Sequence, residues 1–214
     1  ATIVFVSPIP LFIYGINLLP PIAFLGALTA VSVAYLLARI EGIVPTTTLI
    51  LAGVAIAFLA SAATTFLMLQ SSPNVRPVLT WLLGGFSAST WQQVAWLLPY
   101  MIPCLFVIII HGRVLNVLQL NEEQAQQLGV NVEWTKIILI GAASLITAAA
   151  VSVSGMIGFV GLIAPHTVRM IWGADNRFLL PMACIVGAAI LMSSDLLART
   201  LMSPEEVPVG VVTS

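Results

Sequence analysis

Residues 118–136, LQLNEEQAQQLGVNVEWTK, form a polar run in a very apolar chain. One residue later, residues 138–170 read ILIGAASLITAAAVSVSGMIGFVGLIAPHTVRM, and the stretch closes at the charged turn GADNR, residues 173–177. The first part has the composition of a short soluble segment, with Gln, Glu and Asn interleaved with Leu, Ala and Val. The second is small and apolar, punctuated by Gly155, Gly158, Gly161 and Pro165. A surface element wedged between apolar ones points to a membrane protein whose polar insertion meets a soluble partner.

Composition supports this reading. The chain has 214 residues, 60% hydrophobic and 7% charged, with a mean hydropathy of +1.11. A soluble domain carries about 25% charged residues, and a water-facing surface this poor in charge aggregates. The alternative of a large soluble helical core therefore fails, and a polytopic membrane fold is expected. Cys104 and Cys184 lie in apolar runs with no disulfide or metal spacing, so they read as buried small hydrophobes. No charged segment precedes a short apolar run and cleavage site, so no signal peptide is expected. Apolar text at both ends suggests part of a longer protein.

Taken in order, residues 1–19 read as the end of a span and a short loop. Pro20 and Pro21 open a run to Arg39 that can cross about 30 Å of hydrocarbon, prolines being suited to a first helical turn. Residues 42–48 read as a turn. A span then follows from Thr48 to Leu69, whose small residues permit close helix contact. Residues 70–77 are polar. Val78 to Gly85 is apolar but too short to cross about 30 Å of hydrocarbon, so an interfacial or re-entrant helix is expected. Trp81, Trp91 and Trp96 mark the boundary. A span from Trp91 to Ile110 contains Pro99 and Pro103, which should kink it. After the insertion come a span from Trp134 to Val153, a glycine-rich break, a short helix from Ile163 to Ile171 and a last span from Phe178 to Ala198. Successive spans put Arg39, Arg113, Lys136, Arg169 and Arg177 on one side and Arg76 and Arg199 on the other. The positive-inside rule makes the first side cytoplasmic, and the insertion with it.

The chain has no phosphate-binding GxxxxGK[ST] loop, no HExxH and no CxxC. Gly155, Gly158 and Gly161 read either as tight packing at a helix break or as a gate or substrate-contacting loop, since broken helices are tolerated where they line protein or a cavity. His111 and His166 are too few for a metal site, and His166, next to Pro165, reads as a structural hydrogen-bonding residue. Asp195 stands four residues before Arg199, which allows a pair on one helical face; Arg199 reads equally as half of an internal pair or as a charged rim facing a partner. Within 118–133, Asn121 can cap a short helix opened by Glu122 and Glu123. Ala125, Leu128 and Val130 offer an apolar side, Gly129 a stop, and Asn131 a cap for the next turn. An amphipathic helix lying on lipid is the other reading. The segment lacks a basic face, which favours protein contact.

At these residues the chain resembles the permease subunits of the iron-siderophore, haem and vitamin B12 class of ABC importers, the FecCD-like and BtuC-like family. LNEEQAQQLGVNVE, SGMIGFVGLIAPHTVRM, GADNRFLLP, DLLART and EEVPVGVVT stand in family order and spacing, and WLLGGF and LILAGVAIAF extend the match backwards. The resemblance implies an all-α permease domain over residues 1–214, corresponding to the part of a ten-helix fold from the end of the third helix to the start of the tenth. It implies that Leu118, Asn121, Glu122, Glu123, Ala125, Leu128, Gly129 and Val130 belong to a pair of short cytoplasmic coupling helices that dock on an ATPase. It implies that Pro45, Thr46, Thr47 and Thr48 form a cytoplasmic gate, that Gly53, Gly155, Gly158 and Gly161 line or support the pathway, and that Arg199 docks a binding protein. Pro165, His166 and Asp195 are then structural. A non-catalytic subunit in a prokaryotic cytoplasmic (inner) membrane is implied, with no metal or cofactor of its own and with ATP and Mg on the ATPase. The implied partners are a second permease copy, two ATPase subunits, a periplasmic or lipid-anchored binding protein and the bilayer, with no nucleic acid. An iron(III)-siderophore is the expected cargo, with haem and cobalamin as alternatives. An ion-coupled secondary transporter is the runner-up, with Asp195 as its acidic candidate.

Overall fold

The computed structural model describes residues 12–13, 16–17, 19–39, 44–70, 75–86, 89–120, 122–201 and 207–214. Phe12–Ile13 (β1) and Ile16–Asn17 (β2) pair antiparallel in a minimal hairpin where a helix end and loop were expected. The helices follow as α1 (Leu19–Ala38), α2 (Thr46–Gln70), α3 (Val75–Leu82), α4 (Trp91–Ile110), α5 (Gly112–Leu118), α6 (Glu122–Gln127), α7 (Val132–Ser154), α8 (Val160–Trp172), α9 (Asn176–Thr200) and α10 (Val209–Thr213). Over Thr46–Leu69, Trp91–Ile110, Val132–Ser154 and Asn176–Thr200 the helices are long and apolar enough to cross a membrane.

Small residues bring the helices together. α7 is central, flanked by α1 and α4. Its buried face is Val132, Thr135, Ala142, Ala148, Ala149 and Ser152, and α1 buries Ala34 and Ala38 one turn apart. With no driving force to bury apolar surface inside a bilayer, short side chains let backbones approach and gain dispersion contact. The same logic joins α8 to α9. Ala164 and Val168 are buried on α8, and Gly187 of α9 leaves only 3.6 Å between an added methyl and the Ala164 Cβ. Phe24 of α1 and Tyr100 of α4 meet with ring centroids 6.3 Å apart. Large side chains such as Ile50, Phe58 and Leu69 of α2 point outward. Cys184 is exposed and Cys104 half-buried, so neither is the buried small hydrophobe expected. Each lies on a spanning helix whose outer surface meets lipid or a neighbouring helix.

Hydroxyls within the spans are satisfied locally. Ser32, Thr65, Thr147 and Thr200 each donate to the carbonyl four residues earlier, because hydrocarbon offers no other partner. α4 runs from Thr90, whose side chain closes a capping box with Gln93, and it continues through Pro99 and Pro103.

Several boundaries differ from the sequence expectation. Thr46, Thr47 and Thr48 form the first turn of α2 rather than part of a preceding turn. Arg113 does not lie beyond helical structure, because α5 begins one residue after His111. Leu118 closes α5, and Asn131 caps the long α7 by accepting from the Trp134 N–H at 3.1 Å. The two short helices of the insertion are therefore α5 and α6, not two helices within 118–133. Gly161 lies in the first turn of α8, so the break between α7 and α8 is residues 155–159. Asn121 lies outside the described residues.

Candidate functional site

One end of the molecule gathers the basic residues. The Lys136 Nζ donates to the Val44 carbonyl at 3.3 Å, placing the start of α7 beside the turn into α2. In that turn Pro45 accepts from the Leu49 N–H at 3.0 Å and so opens the helix. Thr46 and Thr47 are exposed and Thr48 half-buried. Gly53, two turns further along, has open space where a side chain would stand.

At the same end, α6 stops in a Schellman motif. The Val130 N–H reaches back to the Ala125 carbonyl at 3.0 Å and the Gly129 N–H to the Gln126 carbonyl at 2.9 Å, with Gly129 at φ 84°. Ala125 is fully buried and Val130 half-buried, so the apolar side anchors the short helix. Leu128 points away, 65% exposed, among exposed Gln124, Gln126, Gln127 and Gly129. Leu128 therefore adds nothing to the packing that anchors α6.

Sequence reasoning missed the clasp that holds this insertion. Asn116 of α5 donates from Nδ2 to the Asp175 carboxylate at 2.6 Å, and its Oδ1 accepts from the Asn176 N–H at 2.8 Å. Gln119 adds a bond to the Ala174 carbonyl at 3.5 Å. Asp175 also caps α9 through the Arg177 N–H. The Asn116 bond first, then the Arg177 N–H, hold the Asp175 carboxyl below its usual range. Gly112 packs closely here, since a Cβ would stand 3.3 Å from the Asn176 carbonyl oxygen. An Asp-Asn pair before an apolar run is a legible helix start. Nothing in the sequence marks Asn116 as its partner.

At the opposite end three glycines interlock. A Cβ on Gly155 would run into the Trp81 carbonyl, one on Gly84 into the Met156 carbonyl, and one on Gly210 into the Leu83 carbonyl. The Gly85 N–H donates to the Ser154 carbonyl at 2.8 Å. Gly84 and Gly155 both have positive φ, a region a side chain makes costly. Gly155 therefore fastens α7 to the segments around α3 and α10, while a Cβ added at Gly158 or Gly161 would stand in open space. Pro45–Thr48, beside the start of α7, and Gly155, at its end, lie at opposite ends of the bundle, on the order of 30 Å apart along a helix of this length.

Arg199 and Asp195 form the expected pair at that far end, Nε to Oδ2 at 2.9 Å, with the arginine side chain 48% exposed. His166 is exposed and makes no hydrogen bond among the described residues, contrary to the structural bonding expected. Pro165 sits inside α8 and removes the bond that would reach the Gly161 carbonyl.

Comparison with known proteins decides the family, since the chain matches the FecCD transport family over residues 1–214. The chain belongs to that family. This FecCD-family chain is 44% identical over 194 residues to the cobalamin import system permease protein BtuC of Halobacterium salinarum, covering 91% of this chain and 52% of that protein. It is 39% identical over 193 residues to the hemin transport system permease protein HmuU of Yersinia pestis, covering 90% and 58%. A solved chain described as an inward-facing metal-chelate type ABC transporter superposes with a TM-score of 0.80 at 27% identity, covering 99% of this chain and 75% of that one. The chain thus spans about half the length of the curated relatives it matches, with fewer spanning helices than the ten-helix fold. It is a polytopic protein of a prokaryotic cytoplasmic-membrane transporter family.

Proposed function

We propose that this chain is the non-catalytic permease subunit of a binding-protein-dependent ABC importer for a metal chelate, with a corrinoid such as cobalamin as the cargo. The observation that carries it is the 44% identity to a cobalamin permease over 91% of the chain. The other relative described above is named for hemin. The expectation of an iron(III)-siderophore accordingly gives way to the cobalamin and haem alternatives.

On this reading two copies of the permease form the pathway, two ATPases bind ATP and Mg beneath it, and a binding protein delivers cargo to the far end. The exposed Leu128 on a rigid turn supports α6 as the ATPase contact, and the clasp from Asn116 to Asp175 supports transmission from the insertion into α9. Thr46 and Thr47, exposed at the basic end, support the gate assignment for the start of α2. Arg199 keeps half its surface free while paired with Asp195, which supports docking by the same residue that makes the internal pair. Asp195 is less suited to a coupling-ion site, because its carboxylate already has an arginine.

The test is ligand-stimulated ATP hydrolysis and uptake by the complete complex in proteoliposomes. Cobalamin-loaded binding protein should stimulate both, hemin weakly, and a ferric siderophore not at all. Stimulation by the siderophore alone would restore the iron-chelate cargo. Uptake driven by an ion gradient without ATP would remove the ABC reading.

A further inference from the structure

At the basic end an open cavity of about 570 Å³ is lined by Ile109, Ile110, Arg113, Val114 and Arg177. Its walls come from the last turn of α4, the start of α5 and the first turn of α9. One side is apolar and the other carries two guanidinium groups. Chain order sets the depth. Ile109 and Ile110 are the last residues of a spanning helix, so they stand at the edge of the hydrocarbon. Arg113, three residues on, and Arg177, in the first turn of the next span, stand at the level of headgroups. Both arginines are exposed, and Ile110 is 57% exposed. The Asp175 carboxylate, which accepts from Asn116 and from the Arg177 main-chain N–H, also attracts the Arg177 guanidinium, while Arg113 stands further from it along the chain.

We propose that this cavity binds an anionic phospholipid, with the phosphate held between Arg113 and Arg177 and an acyl chain laid along Ile109, Ile110 and Val114. The guanidinium fork matches phosphate oxygens bidentately. Two guanidinium groups against the single Asp175 carboxylate leave the site net positive, which favours an anionic headgroup over a zwitterionic one, and the apolar wall favours an amphiphile over free phosphate. A soluble protein partner fits less well, because the two isoleucines lie at a depth that it does not reach.

The experiment uses the assembled complex in phosphatidylcholine nanodiscs containing a minor fraction of spin-labelled phosphatidylglycerol, reading the motionally restricted lipid. Wild type should retain phosphatidylglycerol in preference to labelled phosphatidylcholine, and added inorganic phosphate should not displace it. R113Q/R177Q should lose that preference by roughly thirtyfold, the loss expected of two basic residues at a membrane surface. R113K/R177K keeps both charges but loses the bidentate fork, so its preference should fall between those of wild type and the glutamine variant; it serves as the comparison if the glutamine variant assembles poorly, and an unchanged preference in it would remove the fork from the proposal. Equal retention of the two lipids by wild type would overturn the proposal, as would unchanged preference in the glutamine variant. Full displacement by inorganic phosphate would mark a small-anion site instead. Loss of the ATPase with lipid retention intact would mark a protein contact.

Discussion

Gly84 and Gly155 combine positive φ with carbonyls where a Cβ would stand, whereas Gly158 has neither and Gly161 is an open helical position. Alanine at Gly84 or Gly155 adds about 1–2 kcal/mol of backbone strain to about 1–3 kcal/mol of overpacking. Each variant should therefore lose several kcal/mol, while Gly161→Ala should gain about 0.5–1 kcal/mol from helix propensity. Unfolding midpoints of the purified chain in mild detergent check the order, and equal effects at Gly155 and Gly161 would dismiss the interlock. At Arg199 the same scale separates two roles. Arg199→Glu sets two acids one turn apart, but its half-exposed position limits the folding penalty. The expected outcome is near-normal abundance with slower, salt-sensitive association of binding protein. Unchanged association at low salt, with normal assembly, would leave Arg199 as an internal partner of Asp195 only.

The insertion acts as an element because its two short helices are tied at separate points, α5 to the head of α9 and α6 by its own C-terminal motif. Replacing Leu128 and Gly129 together with Asp should abolish ATPase attachment or ligand-stimulated hydrolysis, since a docking surface tolerates an unpaired charge poorly. Membrane insertion should survive, and unaltered coupling in this variant would reduce α6 to an ordinary loop. Asn116→Ala removes two hydrogen bonds from the clasp, worth about 1–3 kcal/mol together. Hydrogen exchange at the head of α9 should rise on that scale without global unfolding. The Asp175 carboxyl is held low, so its contribution is fully present above the ordinary carboxylate value and is lost only as pH falls through the lowered one. Coupling between pH 5 and 8 should show no titration from this residue.

For the whole molecule, the spans place α6 at one end and the start of α4 at the other. With Cys104 and Cys184 replaced by Ala, a cysteine at Gln126 should react with impermeant thiol reagent only from the cytoplasm, and one at Gln92 only from outside. Reaction of both from one face would overturn the topology. α2 packs chiefly on α1 and leaves a long apolar face open.

Four of the five expected spans were legible in the sequence, because hydrocarbon thickness forces long uncharged runs whatever the packing; the run expected to cross from Pro20 to Arg39 gives only the shorter apolar stretch Ile22–Ala38 among the described residues. The span expected at about Trp91 to Ile110 has those bounds in the structure, where a Thr90–Gln93 capping box opens it. The Asp195–Arg199 pair and the Gly129 stop were legible too, being local spacings within one helix. Tertiary structure alone decided which glycines matter. Gly155 and Gly161 look alike in SGMIGFVG, yet only Gly155 meets the Trp81 carbonyl, because that carbonyl arrives from a turn more than seventy residues earlier in the chain. Asn116 was illegible for the same reason, since its partners Asp175 and Asn176 lie about sixty residues away. Local periodicity and capping act over one or two turns; contacts between distant segments depend on how helices are brought together by small side chains, which no single stretch records.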